Sequence, residues 1–397
     1  MSSETTKTGV FVVGAIALMG LAAWVEPETR RPRIFSDQGE TLFPRLRDVE
    51  SVKAIEVVEY DDSDASARAL KAEFRKGRWI LPSHYDYPAQ GGDRLAKTAS
   101  ALLDLKKDIV VSDRVEDHAQ YGVIDPLDQK VASLTGRGKR VTLRDSGGDI
   151  LADVIEGGAV KERAGYRYVR LPGQKRVYSV KTESDPSARF EDWAEPSLLR
   201  LSANQIKRVA ITTYLFDAET GRIANPDRRI IAESDPGFGA IAGTLARMRV
   251  MGVRPKPPAL AQQLRAHAGL ELTLEAMMSL RQRGFFITPM GTLLANAGEV
   301  QVDTASGVIY TARFGEVVNE TTVSKKPSEN RYCFITTSAK DPAMDAQARS
   351  ADARFADWYY IIAGDDFKKF QRPGAPPPAR AAAPEPQGLR PPPPPPN

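Results

Sequence analysis

The sequence predicts an α+β fold: an N-terminal transmembrane helix followed by two tandem, internally duplicated units of mostly antiparallel sheet with one main helix each. Three observations carry this reading. A charge-free run lies close to the N-terminus, and the hexapeptide Ala188-Arg189-Phe190-Glu191-Asp192-Trp193 recurs as Ala353-Arg354-Phe355-Ala356-Asp357-Trp358. Around each copy, short β-branched stretches separated by glycine turns flank a single amphipathic helix, the pattern of a meander and not of a parallel α/β sheet.

Residues 9–25 read GVFVVGAIALMGLAAWV and hold no charge. At about 1.5 Å rise per residue they span roughly 25 Å, enough for a thin bilayer. Val10, Phe11, Ile16, Leu18 and Leu21 supply the apolar surface, and Trp24 suits the headgroup region. An uncleaved signal anchor is expected; a cleaved signal peptide is the alternative, with Lys7 as its basic start and Ala22-Ala23 before the cut. Arg30, Arg31 and Arg33 after the span would by charge alone keep the body inside, but long domains translocate with little regard to charge, so export is expected. The expected division is an anchor over residues 1–26, a linker over 27–50, a first unit over 51–200, a second over 201–372, and a tail over 373–397. The tail holds 12 of the 29 prolines. Without backbone donors it should be an extended, disordered polyproline segment.

Unit one opens with a β-branched strand at 52–58 and a hairpin strand at 71–81 that turns at Gly77 and returns through Trp79. Leu95, Thr98, Ala99, Leu102, Leu103 and Leu105 then keep helical spacing behind a capping Asp93. Strands near 141–143, 150–155, 166–171 and 177–180 close the unit, with Gly147-Gly148 as a hairpin turn. Unit two repeats the order. It has strands at 206–213 and 229–232, and a helix through Ile241, Leu245 and Met248 ended by Gly252 and Pro255. Strands follow near 284–288, 293–295, 300–302, 308–314 and 332–335, with Ser306-Gly307 as the matching turn. Asp185-Pro186 and Asp341-Pro342 each stand between the last strand and the repeated hexapeptide. If that hexapeptide is helical, Phe190 and Trp193, and likewise Phe355 and Trp358, lie on one face and plug the core of their own unit. Arg189 with Asp192, and Arg354 with Asp357, then form i, i+3 pairs.

Lys and Arg total 55 against 51 acidic residues, a net charge of +4, which argues against a nucleic-acid partner. The lone Cys333 excludes an intramolecular disulfide and a cysteine-built zinc site, and three histidines (His84, His118, His267) do not furnish a histidine-rich centre. No cofactor or metal is expected. Asp113, Glu116, Asp117 and His118 could together hold a hard cation, but read better as a solvated loop. Asp61, Asp62 and Asp64 read as the polar tip of the first hairpin. Gly91-Gly92-Asp93-Arg94 reads as a capping loop, since neither a preceding strand nor a phosphate-binding lysine accompanies it. Beside Tyr85 and Tyr87, His84 is expected in a packed loop; His267 is expected to be exposed. Asn319-Glu320-Thr321 matches a glycosylation sequon.

Trp79-Ile80-Leu81, Val110-Val111-Ser112, Tyr121-Gly122-Val123-Ile124-Asp125-Pro126, Tyr166-Arg167-Tyr168-Val169-Arg170 and Val177-Tyr178-Ser179-Val180 resemble the DUF4340 family, a domain of unknown function. The second half resembles the extended form of planctomycete-type members. It does so through Arg283-Gly284-Phe285-Phe286, Asn296-Ala297-Gly298-Glu299, Gly307-Val308-Ile309-Tyr310, Arg313-Phe314-Gly315-Glu316 and Arg354-Phe355-Ala356-Asp357-Trp358-Tyr359-Tyr360. The resemblance spans roughly residues 10–372; members more often carry an acidic residue before the glycine of the Asn296 motif. It implies a single membrane helix, an exported body, and company with ABC-2-type transport systems of the gliding-motility kind and their auxiliary exported subunit. It carries over no catalytic residue. The expected function is a membrane-anchored, exported, non-enzymatic interaction or scaffold protein whose partners are the bilayer and an ABC-2-type permease or auxiliary subunit. The alternatives are a binding protein holding an envelope polymer or peptide between its units, and an enzyme of unrecognised class centred near His118.

Overall fold

The computed structural model describes residues 38–63, 65–90, 92–217, 222–267, 273–288, 290–318 and 329–371. The expected anchor, residues 27–37 of the linker, Asp64, Gly91, the Asn319 sequon and the whole expected tail lie outside them. Among the described residues no helix is long and apolar enough to cross a membrane.

The first half forms β1 (Ala54–Asp61), β2 (Ser66–Arg75), β3 (Arg78–Leu81), β4 (Tyr87–Pro88), helix α1 (Gly92–Leu103), β5 (Ile109–Ser112), the single turn α2 (His118–Tyr121), β6 (Lys139–Arg144), β7 (Ile150–Ala159), β8 (Tyr166–Arg170) and β9 (Val177–Lys181). Its nine strands lie in the order β4-β3-β2-β1-β6-β7-β8-β9-β5, every neighbouring pair antiparallel. α1 forms where expected and buries Leu95, Thr98, Ala99 and Leu102. Residues 38–50, expected as linker, are packed: Leu42, Phe43 and Leu46 enter the core.

The second half forms β10 (Ile206–Asp217), β11 (Arg222–Ala232), α3 (Phe238–Arg247), β12 (Val250–Pro255), α4 (Pro258–Ala266), α5 (Leu274–Gln282), β13 (Phe285–Ile287), β14 (Leu293–Ala295), β15 (Glu299–Thr304), β16 (Val308–Val317), β17 (Arg331–Ala339), α6 (Asp345–Ala353), β18 (Trp358–Ile362) and α7 (Gly364–Lys368). Its main sheet runs β11-β10-β15-β16-β17-β18-β12, while β13 and β14 pair separately. Leaving aside β3 and β4, the two orders are the same: a hairpin, a helix, an edge strand, then a four-strand meander that returns to the hairpin. The last meander strand pairs with the edge strand in each sheet, β9 with β5 and β18 with β12.

Five expectations need correction. β5 and β12 are edge strands that the pattern did not announce. Gly252 and Pro255 lie inside β12 and do not end the helix; an edge position tolerates both because proline has no ladder donor to offer. The second half carries several helices, α3 to α6, and not one. The hexapeptide follows β9 in the first half, as a short 3₁₀ turn over Phe190–Asp192, but in the second it precedes β18, which Trp358 opens. Finally, Asp61 is not a solvated tip. It ends β1 buried, accepts hydrogen bonds from Ser63 N (3.0 Å) and Ser63 Oγ (2.6 Å), and pairs with Arg68 (3.0 Å).

A single hydrophobic cluster runs through both halves, from Ile55, Val57 and Leu70 through Trp193 and Leu199 to Val209, Val302, Phe314 and Phe355. The opposite face of the second sheet carries its own cluster under α4 and α5, with Leu260, Leu280, Phe285, Phe334 and Tyr359. On the first sheet that face holds only Val123, Ile155 and Val177 with flanking tyrosines.

Both meanders contain the same irregularity. The β7/β8 register slips between Glu156 and Ala159, and the β16/β17 register slips between Phe314 and Val317. A glycine of each bulge, Gly157 or Gly315, is pressed by a helix-end turn. A Cβ on Gly157 would run into the Tyr121 carbonyl oxygen, and one on Gly315 into the Arg283 carbonyl oxygen. We therefore expect Gly157→Ala and Gly315→Ala each to lose more than about 2 kcal/mol, because rigid backbone cannot yield as a side chain can. Gly147→Ala, in the exposed hairpin and next only to the Asp145 side chain at 3.4 Å, should lose far less. Urea denaturation of the three variants measures this, and equal losses would refute the bulge contact as the stabilising constraint.

Candidate functional site

The side chains singled out around His118 do not converge. Asp113 pairs with Arg176 (2.7 Å), Asp117 accepts from Ser112 Oγ (2.6 Å), Glu116 faces Arg114 at 3.6 Å in the open, and His118 is buried with Nε2 on the Lys175 carbonyl (2.8 Å). Among the described residues no three His, Cys, Asp or Glu side chains could hold a metal ion. At the α1 start, Arg94 turns away to the Asp185 carbonyl (3.0 Å). His267 is exposed, as expected, and lies 3.7 Å from Asp352.

The aromatic signature is interior. Phe190 and Trp193 are 4% and 1% exposed and Phe355 is 1% exposed, while Trp193 donates through Nε1 to the Ser187 carbonyl (2.8 Å). Trp358 does not plug its own half: its ring lies edge-on to Tyr87 of the first sheet (5.3 Å), and Tyr87 also meets Phe190 (5.4 Å). His84 joins this junction against Phe190 (4.7 Å); burial, helped by Arg254, pushes its imidazole down to about 4. Arg189 pairs with Asp192 as expected (2.9 Å), but Arg354 and Asp357 do not pair with each other. Arg354 donates to the Leu198 carbonyl (2.7 Å) across the halves, and Asp357 pairs with Arg265. Trp79 rests on Phe74 (5.5 Å), and Pro126 is buried in the turn where Asp125 binds Arg140 (3.1 Å). Arg313 binds the Leu293 carbonyl (2.9 Å) and Glu299 (3.2 Å).

The remaining signature residues build the two bulge contacts. Gly122 ends α2 and Gly284 follows α5, both in the left-handed region (φ 69° and 78°) that glycine adopts without strain. Tyr121 then lies on Tyr168 (4.7 Å) and Arg283 over Tyr332 (5.6 Å). A bulge leaves a carbonyl outside the ladder, and an arginine from the next strand takes it in each sheet: Arg167 Nη1 donates to Gly157 O (3.3 Å), Arg331 Nη1 to Gly315 O (2.8 Å). Arg167-Tyr168 and Arg331-Tyr332 are thus equivalent, a correspondence within β8 and β17 that the hexapeptide alignment had passed over.

Over the first bulge lies a recess of about 320 Å³ lined by Gly122, Arg137, Lys139, Glu156, Gly158, Arg167 and Ser184 among others. Glu156 is 4% exposed and Ser184 3% exposed. Neither Glu156 Oε1 nor Ser184 Oγ has a well-aligned hydrogen-bond partner, although Ser184 lies close enough to the Glu156 carboxyl to pull on its proton. Burial pushes the Glu156 carboxyl up, against the pull of nearby Ser184, Arg167 and Lys139 and with a push from Asp185. Arg137 is spent on loop carbonyls of Ser133, Asp125, Asp128 and Val131. Lys139 is committed to Pro186 O (3.0 Å) and Glu59 (2.9 Å).

A second buried charge, Lys256, directly follows β12. Its Nζ donates to Phe355 O (2.7 Å) and sits 3.9 Å over the Phe334 ring. Burial pushes its ammonium down to about 7, against the pull of Asp352 and Asp357. Sequence reading passed it over because it stands inside a proline cluster that reads as a terminator.

Residues 79–234 match the family model described as "Domain of unknown function (DUF4340)". Over this span the chain belongs to the DUF4340 family. No curated protein and no solved structure matches the chain. The DUF4340 span starts at Trp79 in β3 and ends just beyond β11, so the first bulge, Glu156 and Arg167 fall inside it while Gly315, Arg331 and Lys256 fall outside.

Lys256 gives a pH signature. In the unfolded chain its proton stays on to about pH 10.5, whereas in the fold it leaves near 7. Between pH 7 and 9 the unfolded state therefore binds more protons, and this residue makes stability rise with pH, by up to about 2 kcal/mol over that window. Lys256→Met should lack that contribution, seen as a flatter dependence of unfolding free energy on pH in urea titrations. Parallel wild-type and variant curves would contradict it.

Proposed function

We propose that this chain is an exported, membrane-anchored, non-enzymatic interaction subunit, held by the apolar residues 9–25 and accessory to an ABC-2-type transport complex of the gliding-motility kind. The observation that carries the reading is where the signature side chains go. Phe190, Trp193, Phe285, Phe314 and Phe355 are all at most 4% exposed and serve cohesion. Likewise, the polar groups near His118 close turns and ion pairs of the fold. Support comes also from the DUF4340 match, from the uncharged N-terminal run, and from the free edge of the second sheet. There β11 ends the strand order and exposes Ile223 and Ile230, the kind of edge to which a partner strand can add.

The test is affinity purification of the full-length chain from detergent-solubilised membranes with identification of the retained proteins. A permease of the ABC-2 type should be retained, and deletion of residues 1–26 should move the chain to the soluble fraction and lose the permease. Recovery of the intact chain from the soluble fraction, or from membranes without any transport protein, would refute the reading.

A further inference from the structure

The two sheets share one bulge but differ beneath it. In the second, the last paired residue before the bulge is Phe314, buried and covered by Phe367 (5.2 Å between rings) and Phe370 (5.7 Å) from the segment after β18. In the first, the same position is Glu156, and the segment after β9 brings Ser184 instead of an aromatic helix. An apolar packing solution is thus available to this fold and is used by its twin. A buried carboxylate oxygen and a buried hydroxyl without well-aligned partners carry a desolvation penalty that a bound hydrogen-bonding group removes.

The recess also selects. Arg137 and Lys139 are already engaged, so Arg167 is the cation with donors to spare: of five N–H groups, the fold holds one, on Gly157 O. Gly157 and Gly158 put bare backbone along the wall, and about 320 Å³ lies at the small end of ligand sites. The required ligand is compact, offers hydroxyl groups to Glu156 and Ser184, and carries a planar anion that a guanidinium can grip in two places.

We propose that the recess between Glu156, Ser184 and Arg167 is a binding site for a hydroxylated carboxylate of uronic-acid type, about one or two sugar rings in size. Arg167 holds the carboxylate while Glu156 and Ser184 take ring hydroxyls. This assignment does not rest on the membrane or transport reading.

Titration of the full-length chain with D-glucuronate and D-galacturonate, followed by calorimetry and by protection against thermal unfolding, tests it, with D-glucose and acetate as partial ligands. At least one uronate should bind saturably and more tightly than either partial ligand. Arg167→Gln should weaken it at least about tenfold. Glu156→Gln should weaken it too while the chain remains folded by circular dichroism, and Glu156→Phe, which installs the twin's residue, should abolish it and raise the melting temperature. If neither uronate binds up to tens of millimolar, or if Arg167→Gln binds as well as wild type, the assignment is overturned. Should Glu156→Phe fail to fold, the Arg167 and Glu156→Gln results still decide.

Discussion

The fold depends on a backbone-to-backbone contact made twice. A β-bulge turns a strand of the meander so that one peptide faces outward, and a glycine there lets a helix-end turn lie directly upon it. In the second sheet this contact includes a main-chain hydrogen bond, Glu316 N to Arg283 O (2.9 Å). In the first, Arg170 adds to it by reaching from β8 to the Val123 carbonyl just past Gly122 (2.8 Å). These contacts position the chain as it leaves the edge strand and returns to the hairpin. Loop closure over that distance is entropically costly, and a rigid point of attachment reduces the conformations that must be given up. Side chains larger than hydrogen cannot enter, so the geometry is set by what is missing from Gly157 and Gly315 and not by any attractive group on them.

The halves are joined by the same chemistry that holds each together. Besides the aromatic stack of Phe190, Tyr87 and Trp358, two hydrogen bonds cross the junction: Leu198 N to Met248 O (2.8 Å) and the Arg249 guanidinium to Glu191 O (3.0 Å). Two copies of one hexapeptide thereby serve different purposes. In the first copy both aromatics close the core and the acidic residue pairs with its own arginine. In the second, the arginine and the tryptophan reach into the other half, and the aspartate turns to α4. Identical letters acquired different neighbours because the second copy runs on into a strand, which rotates successive side chains to opposite faces, while the first ends in a turn.

How far the sequence was legible follows from where information is local. Hairpins at Gly77, Gly148 and Gly307, the stripe of α1 and the β-branched meander strands were readable, since turn chemistry and periodicity act within a few residues. β5 and β12 were not. Each is short and its only partner is a strand far along the chain, so nothing local marks it. Glu156 escaped notice for a related reason. In Ile150–Ala159 the acid sits among Val154, Ile155 and two glycines, where a strand's alternation makes one polar residue look solvent-facing. Glu156 in fact shares the core-facing side with Ala152 and Val154, and the bulge just after it, which opens the recess, is visible only when the partner strand is aligned. The DUF4340 resemblance singled out Tyr121-Gly122 and Arg313-Phe314-Gly315, though spacing alone gave no hint that the two stretches meet equivalent bulges.

Setting the copies side by side shows how their stability is distributed. The second sheet is covered on both faces: Phe367 and Phe370 close one, and α4 and α5 with Phe285 and Leu280 close the other. Burying an aromatic of this size contributes on the order of 1.5–3 kcal/mol, so Phe367 and Phe370 over Phe314 are a substantial part of what closes that face. The first sheet has no comparable aromatic lid over Glu156, and its other face carries only the small cluster of Val123, Ile155 and Val177 with Val111, Tyr121 and Tyr168. Its cohesion comes from elsewhere, from α1 and from Leu42, Phe43 and Leu46 docking ahead of β1. The consequence is an asymmetric molecule in which one copy is closed by its own aromatic side chains and the other keeps a polar, unfilled floor. That floor is bordered by Asp185, which α1 reaches through Arg94 (3.0 Å to the Asp185 carbonyl), so the helix that covers the core of the first copy also fixes the rim of its recess.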